Sequence, residues 1–412
     1  MSRGYEWYVG VDWGGAEHVI VLLDRAGQKH GTWCVRHTAA AVHAFLAEII
    51  KQTGREAVAV GLEIPRGVIV DALLEQRLAV FALNPKQLDR FRDRHTVAGA
   101  KDDRLDAYVV ADALRTDPQC FRAVRPDTAQ VTELREYTRM LEELDRDHRR
   151  LANQLREQIL RVAPEWLALA EGADEPWFWA LLEKMIRPTG AKLLRRTAVT
   201  RLLQDHRIRR WSADDVLRVL DAPTWTPTEG TWAAVHAHME VLLARLRLLH
   251  RQRATCEAGL DRLLRQCAEG PEGEPGGHRD VSILQSLPGV GRKTAAAMLA
   301  YAARLLAERD YPTLRSYVGL APVTKRSGKR YHVVQMRYAC HPRLRTAVHC
   351  WAGASLRLDT AARSYYDQLR QRGHTHARAL RSVGDRWLRI LMAMLRSETS
   401  YNPSRIRAAI AN

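Results

Sequence analysis

Four acidic residues stand where carboxylates could share a metal ion. Asp12 follows the apolar residues 8–11, Glu63 follows the apolar residues 58–62, and Asp103 and Asp106 are three residues apart. A carboxylate at the end of a buried strand is costly to desolvate and usually has a partner. Oxygen ligands of this kind suit Mg²⁺ or Mn²⁺ rather than zinc, and two such ions about 4 Å apart would bind the attacking and leaving oxygens of a phosphodiester. For Asp103 and Asp106 the alternative is an ordinary solvated helix face.

The elements that must position these residues can be predicted from hydrophobic periodicity. The pattern predicts five strands, at 7–12, 18–24, 31–36, 56–64 and 79–84. It also predicts a helix over 38–53 and a further helix between the fourth and fifth strands. Three consecutive strands followed by alternating helix and strand is the order of the ribonuclease-H fold. In that order Asp12 lies on the first strand, Glu63 on the fourth, and Asp103 and Asp106 on one face of a closing helix. We therefore expect the four carboxylates to converge on one pocket.

The charge distribution favours a nucleic-acid partner. The net charge is +17, and residues 281–412 contain 23 Lys and Arg against 6 Asp and Glu, whereas the two preceding segments, 1–125 and 126–280, are close to neutral. A basic block of this size fits phosphate neutralisation and predicts salt-sensitive binding, although a solubilising surface is the alternative. The six cysteines show no CxxC pair and the sequence shows no membrane-spanning stretch. We expect a reducing, cytoplasmic setting and no membrane partner.

The middle of the chain contains two heptad-like apolar repeats. One runs from Leu134 to Val162 and the other from Met239 to Cys267, with His148 and Arg253 at seam positions. Two long helices are predicted, which pair either within one chain as a hairpin or between subunits as a coiled coil. The insert at 165–232 holds six of the eleven tryptophans and is predicted to be a small helical subdomain. Residues 268–280, rich in Gly, Pro and Glu, are predicted to be a hinge.

Two motifs beyond the hinge are candidates for contacts with DNA. The segment 287–295 is typical of a helix-hairpin-helix turn, in which Gly289 and Gly291 let backbone N–H groups approach a phosphate and Lys293 adds charge. A plain helix connection is the alternative. Further along, one hydroxyl, that of Ser327, is framed by four cations, namely Lys325, Arg326, Lys329 and Arg330. These cations could hold a phosphate, so Ser327 is a candidate nucleophile, with a turn serine in a DNA-binding loop as the alternative.

The order of these motifs resembles a known family. Gly-Val-Asp12, strand-ending Glu63, Lys-x-Asp103-x-x-Asp106-Ala, Leu-Pro-Gly-Val-Gly291 and Gly-Leu-x-Pro followed by Ser327-Gly look like the DEDD transposases of the one-ten insertion-sequence family, relatives of the Piv/MooV DNA invertases. The resemblance covers roughly residues 1–125 and 281–400. Arg337 is a further predicted contact with nucleic acid, although the segment Arg337-Tyr-Ala-Cys340 departs from the Arg-Gly-Asn with which such proteins usually continue.

The resemblance implies a fold, an activity and partners. It implies a RuvC-like α/β domain at 1–125 whose carboxylates Asp12, Glu63, Asp103 and Asp106 bind Mg²⁺ or Mn²⁺, coiled-coil helices at 126–267, and a mostly helical transposase domain at 281–412. In that family a serine, here Ser327, forms a covalent phosphoserine intermediate. The implied partners are donor and target DNA, a structured non-coding guide RNA and further copies of the chain. Since the carboxylates and Ser327 lie on different domains, the active site is expected to be composite.

Two other functions remain open at this level. A Holliday-junction-type nuclease would use only the carboxylates and water, so that no covalent protein–DNA adduct would form. The segment Val11 to Gly15 also resembles the first phosphate loop of actin-like sugar kinases, but the later loops that such kinases need are not found in the sequence. The favoured prediction is an RNA-guided DNA recombinase.

Overall fold

A computed structural model describes residues 4–55, 57–95, 102–186, 194–222, 225, 228–269, 277–327 and 331–404. The chain forms two compact units, Met1–Thr128 and Ala129–Asn412. Residues 270–276 of the predicted hinge lie outside the described residues.

The first unit is a six-stranded sheet covered by helices. Its strands are β1 (Trp7–Trp13), β2 (Glu17–Asp24), β3 (Lys29–Arg36), β4 (Val58–Leu62), β5 (Ala79–Ala82) and β6 (Arg122–Val124). Its helices are α1 (Ala39–Thr53), α2 (Val68–Glu75), α3 (Pro85–Arg92) and α4 (Asp103–Thr116). The strand order is β3-β2-β1-β4-β5-β6. Strands β1 to β3 form an antiparallel meander, β4 and β5 continue parallel to β1, and β6 pairs antiparallel to β5. The five predicted strands and the helix at 38–53 are confirmed, whereas α3 and β6 were not predicted.

Successive side chains of β1 point to opposite faces of the sheet. Val9 and Val11 pack with α1 and α2 in one core, and Tyr8 packs on the other face with α4. Gly10 also lies on the α4 face, where helix and strand come unusually close. This alternation places Asp12 on the same face as α4.

The second unit is built on two long helices, α5 (Ala129–Val162) and α9 (Glu229–Glu269). They pack antiparallel within the chain, because Arg262 pairs with Glu133 near one end and Arg253 pairs with Asp145 further along. The structure therefore shows the helical-hairpin alternative, and the coiled coil between subunits stays a prediction. His148 is buried against the ring of Trp179, and Arg253 forms its ion pair at the seam.

The insert packs on one end of this hairpin. It comprises a 3-10 turn at Pro164–Ala168 and the helices α6 (Pro176–Met185), α7 (Arg196–Asp205) and α8 (Ala213–Leu220). Trp166, Trp177 and Trp179 are buried in a core that includes residues of α5 and α9. Most of the described tryptophans of the insert therefore serve packing, whereas Trp225 is 68% exposed.

The C-terminal elements share a core with the other end of the hairpin. They are α10 (Gly277–Gln285), α11 (Arg292–Ala307), α12 (Tyr311–Val318), β7 (Val323–Ser327), β8 (Tyr331–Gln335), α13 (Pro342–Leu358), α14 (Thr360–Gln371) and α15 (His376–Ser397). Leu134 of α5 and Leu260 of α9 lie in the same cluster as Trp351 and Trp387, whose rings stack at 5.9 Å. The core thus runs across the boundary that the sequence suggested at 268–280. Among the described helices, none combines the length and hydropathy needed to cross a bilayer.

Candidate metal centre

Asp12 and Glu63 come together because their strands are parallel neighbours. Strand β1 pairs with β4 in a register that sets Val11 beside Leu62. Asp12 is the next residue of β1, and Glu63 is the first residue after β4. Carboxyl ends of adjacent parallel strands meet at one edge of a sheet, so both carboxylates stand at this edge on the face that α4 covers.

Helix α4 brings two further carboxylates to the same edge. Asp102 caps the helix by accepting a hydrogen bond from the Arg104 N–H at 3.0 Å, and Asp103 and Asp106 occupy the first turn. One carboxylate oxygen from each of Asp12, Asp103 and Asp106 lies within 4.8 Å of the other two. Three carboxylates this close repel one another unless a cation lies among them. The donor set fits Mg²⁺ or Mn²⁺, which prefer oxygen ligands.

The close approach of α4 to β1 depends on Gly10. A methyl carbon on Gly10 would lie 2.0 Å from the carbonyl oxygen of Ala107 and 2.6 Å from the amide nitrogen of Ala111. Carbon atoms do not tolerate such distances, so only glycine lets the helix backbone rest on the strand here. Two positions further along β1 is Asp12, and one position before Ala107 is Asp106. The same contact therefore sets the spacing of the carboxylates.

Burial and charge perturb this group. The Asp106 side chain is buried, Asp12 and Glu63 are partly buried, and Asp103 is exposed. Burial, followed by the negative charges of Asp12 and Asp106, raises the pKa of Glu63. Glu63 is thus electrostatically part of the cluster, although the closely spaced group comprises the three aspartates. A buried, paired Asp106 also makes the solvated-face alternative wrong for that residue.

One cation within the cluster was not predicted from the sequence. The Arg92 Nη2 lies 2.7 Å from the Asp106 Oδ1, and its Nη1 lies 3.4 Å from the Asp89 Oδ1. Arg92 is the last residue of α3, which begins with Asn84 as cap and Pro85 in the first turn. The spacing of Leu88 and Arg92 indicates only that they share a helix face, because the contact with Asp106 forms when α3 packs on α4. Arg92 offsets part of the carboxylate repulsion.

Ser327 lies in a strand hairpin of the second unit. It is the last residue of β7, and its register partner on β8 is Tyr331. Lys329 and Arg330 lie outside the described residues, and only the backbones of Lys325, Arg326 and Ser327 are described. The backbone therefore places Ser327 directly before the connection between β7 and β8. Arg337, beyond β8, donates from its Nε to the carbonyl oxygen of Ala321 at 3.3 Å.

The predicted helix-hairpin-helix turn packs against protein. Gly289 has a φ of +84°, and a methyl carbon there would lie 2.7 Å from the backbone nitrogen of Ser355. The indole Nε1 of Trp351 donates to the carbonyl oxygen of Pro288 at 3.0 Å. Gly289 is therefore required for packing on α13. Gly291 is exposed and begins α11 with no side-chain cap, and Lys293 pairs with Asp145 of α5. The role of these residues in binding nucleic acid stays a prediction.

Two family models match the chain. A transposase model named for the DEDD motif and IS110 matches residues 9–164, and one described as transposase IS116/IS110/IS902 family matches residues 281–367. The first covers the carboxylate cluster and all of α5. The second covers the turn at 287–295 and the hairpin with Ser327.

Individual relatives agree with the family models. A protein of Sinorhizobium fredii that carries the name transposase y4uE is 40% identical over 223 residues, which cover 53% of this chain and 62% of that protein. The mini-circle protein of Streptomyces coelicolor, named as a transposase for IS117, is 28% identical over 98% of this chain and 97% of its own length. An uncharacterized 43.6 kDa protein of insertion element IS110 from the same organism is 31% identical over 76% of this chain and 74% of its own length.

Proposed function

Since the chain belongs to the IS116/IS110/IS902 family and is a DNA transposase, we propose that it cuts DNA with a carboxylate-bound divalent metal and rejoins it through a serine ester. The metal ligands are Asp12, Glu63, Asp103 and Asp106, and the nucleophile is Ser327. Family membership excludes the sugar-kinase alternative.

The observation that carries the metal site is the convergence of three aspartates at one sheet edge. Their oxygens lie within 4.8 Å of one another, and burial, followed by the negative charges of Asp12 and Asp106, raises the pKa of the nearby Glu63. Divalent ions bound there would neutralise the non-bridging oxygens of a phosphodiester and stabilise the charge that develops in the transition state. Arg92 supplies one of the positive charges that such a site needs, and it holds Asp106 in place.

The serine step conserves the energy of the phosphodiester. The Ser327 oxygen forms a bond to phosphorus while one ester bond between phosphorus and a sugar oxygen breaks. The serine proton leaves with the released sugar oxygen, which becomes a hydroxyl. Attack by the sugar hydroxyl of another strand reverses these changes and frees the serine. Since one phosphate ester replaces another, strand exchange requires no nucleotide cofactor. The support is the match of the second family model to the Ser327 hairpin, together with the cations in its sequence.

A guide RNA completes the proposal. The family resemblance implies a structured RNA that pairs with donor and target DNA. Its physical support here is the excess of positive charge in residues 281–412, because 23 cations against 6 anions can neutralise many phosphates. Pairing by RNA would leave the protein to recognise backbone and shape rather than base sequence.

The metal site is tested by comparing aspartates that are neighbours in sequence but differ in position. We expect Asp12→Asn, Asp103→Asn and Asp106→Asn to abolish excision of a plasmid-borne element, measured by sequencing of the rejoined donor. Asp102→Asn is the matched control, because asparagine is also a good helix cap and Asp102 lies outside the close group. Excision by the three variants at the wild-type level would overturn the metal assignment.

The serine step is tested by trapping. Wild-type protein with end-labelled element DNA should give a metal-dependent protein–DNA adduct on a denaturing gel, and Ser327→Ala should give none while still binding DNA. Thr324→Ala is the control, since it removes an exposed hydroxyl from the same strand. An adduct that persists in Ser327→Ala would assign another nucleophile. Strand cutting without any adduct would favour the nuclease that uses water.

The RNA and the assembly are tested on purified protein. Sequencing of co-purified RNA should return one discrete structured species, and digestion with ribonuclease should stop recombination. Recombination that continues unchanged after complete RNA removal would exclude a guide. Light scattering of the full chain tests the proposed homo-oligomer, which should have at least twice the 46.8 kDa of one chain. A monomer at assay concentrations would contradict it.

A further inference from the structure

Among the residues that the structure describes, a group of cations without carboxylate partners lies on two packed helices of the second unit. We call Arg345 of α13 with Arg378 and Arg381 of α15 the α13–α15 cation cluster. Arg378 and Arg381 are three residues apart on α15 and so share one face. Partial burial, followed by the positive charges of Arg378 and Arg345, lowers the pKa of Arg381. Like charges are therefore held close together, and this arrangement is unfavourable unless an anion binds there.

The acidic residues of this part of the chain are all engaged elsewhere. Residues 281–412 contain only six, and none of them has an ion pair with the cluster. Glu308 pairs with Arg304, Asp367 with Arg363, Asp385 with Arg315 and Glu398 with Arg279, while Asp310 and Asp359 cap α12 and α14. The described residues thus leave the positive charge of the cluster unneutralised, and a polyanion is the complementary partner.

The cluster adjoins an exposed aromatic ring and the strand hairpin. The Arg345 Nη2 donates to the carbonyl oxygens of Arg337 and Tyr338, which follow β8. The Tyr338 side chain is 77% exposed, and it interacts electrostatically with Arg381. An exposed aromatic ring offers a face on which a nucleic-acid base can stack. Strand β8 pairs with β7, whose last residue is Ser327.

We propose that the α13–α15 cation cluster and Tyr338 together bind an unpaired DNA strand beside the Ser327 hairpin. The guanidinium groups contact successive phosphates, and the Tyr338 ring stacks on a base, which is how proteins bind single strands without reading sequence. Duplex DNA offers phosphates but no open base face, so the ring favours an unpaired strand. DNA rather than RNA is assigned because the chain is a DNA transposase and the cluster borders the strand pair with the proposed nucleophile. The inference deepens the proposed function by locating the strand that undergoes exchange.

The test separates the charge contribution from the stacking contribution. Binding of a labelled single-stranded DNA oligonucleotide to the full chain, with its RNA retained, is measured by fluorescence anisotropy over a series of salt concentrations. Removing Arg378 and Arg381 together by substitution with Gln should weaken binding about tenfold and reduce the slope of log Kd against log salt by about 1.4, because each phosphate contact on a single strand contributes about 0.7. Tyr338→Ala should weaken binding about 5- to 150-fold with the slope unchanged, the range expected for one stacked base.

Matched controls make the outcomes decisive. Arg304→Gln removes one charge from the same unit, but that arginine already pairs with Glu308, so its slope should equal that of wild type. Equal slopes for wild type and the double variant would overturn the inference, and so would tighter, cluster-dependent binding of RNA of the same sequence or of duplex DNA. The result is independent of chemistry, because Ser327→Ala should bind the strand like wild type. Wild-type protein that shows the slope difference but cuts no DNA would count against the proposed function. Wild-type protein that cuts DNA but has the same slope as the double variant would count against the cluster.

Discussion

Replacing Gly10 by alanine should separate helix α4 from strand β1 and thereby disturb the carboxylate cluster. The added methyl carbon would lie 2.0 Å from the carbonyl oxygen of Ala107 and 2.6 Å from the amide nitrogen of Ala111. Both neighbours are backbone atoms of one helix, so no side-chain rotation can relieve the contact. The helix itself must move.

The size of that movement follows from ordinary contact distances. Carbon and oxygen atoms rest at about 3.4 Å or more, so the backbone near Ala107 must shift by about 1.4 Å. Overpacking of this kind costs about 1–3 kcal/mol. Asp106 precedes Ala107, so its carboxylate moves with the helix away from Asp12. A misplacement of about 1 Å in a reacting group can cost about 100-fold in rate, and we expect a loss of that order in strand cutting.

The assay combines stability, metal binding and cutting. Gly10→Ala should lower the denaturant midpoint, weaken Mn²⁺ binding measured by calorimetry, and reduce cutting about 100-fold. Gly15→Ala is the control, because Gly15 follows the same strand and a methyl carbon there would meet no atom within 4 Å. Wild-type stability, Mn²⁺ affinity and cutting in Gly10→Ala would show that this contact does not set the carboxylate spacing.

Three further predictions follow from individual contacts. Arg92→Gln should lower the stability of the metal-free protein by about 1–2 kcal/mol and enlarge the stabilisation by Mg²⁺, because the cation that pairs with Asp106 is lost; thermal shifts equal to those of Arg90→Gln, an exposed site on the same helix, would contradict this. Burial, then the charge of Arg253, lowers the pKa of His148 in the folded protein. The neutral His148 side chain therefore contributes its full stabilisation above about pH 6.5, and this stabilisation is lost as the pH falls through the lowered pKa of the folded state. His148→Leu should therefore lose less stability than wild type between about pH 7 and 5 in urea titrations, and parallel curves would count against it. Gly289→Ala should cost about 1–3 kcal/mol or more through strain at a φ of +84° and a contact at 2.7 Å, visible as a lower denaturant midpoint.

The parts of the fold that follow from local pattern could be predicted from the sequence. The apolar runs of β1 and β4, bounded by turn residues, predicted strands, and the positions of Asp12 and Glu63 at their ends predicted one shared edge. The helix at 39–53 followed from its apolar spacing in the same way. Three-residue β6 carries too short a pattern to detect, and its strand status comes from pairing with β5.

The parts that depend on long-range contact could not be predicted. Arg92 lies on a short, polar helix, and only the folded chain brings its guanidinium to Asp106. The seam residues of α5 and α9 fit a hairpin as well as a coiled coil, because both bury the same apolar positions. Gly289 matched a phosphate-binding turn, whereas the fold uses its positive φ to pack on α13. In each case the sequence sets the local geometry and the tertiary partner sets the role.

The central claim is that Asp12, Asp103 and Asp106, with Glu63, hold a divalent cation. It is tested most directly by crystals of the protein soaked in Mn²⁺ and measured at a wavelength where manganese scatters anomalously. We expect an anomalous peak among the three aspartates, at about 2.0–2.3 Å from their oxygens, and no such peak in Asp106→Asn. A well-ordered site that stays empty at saturating Mn²⁺, in protein that still cuts DNA, would contradict it.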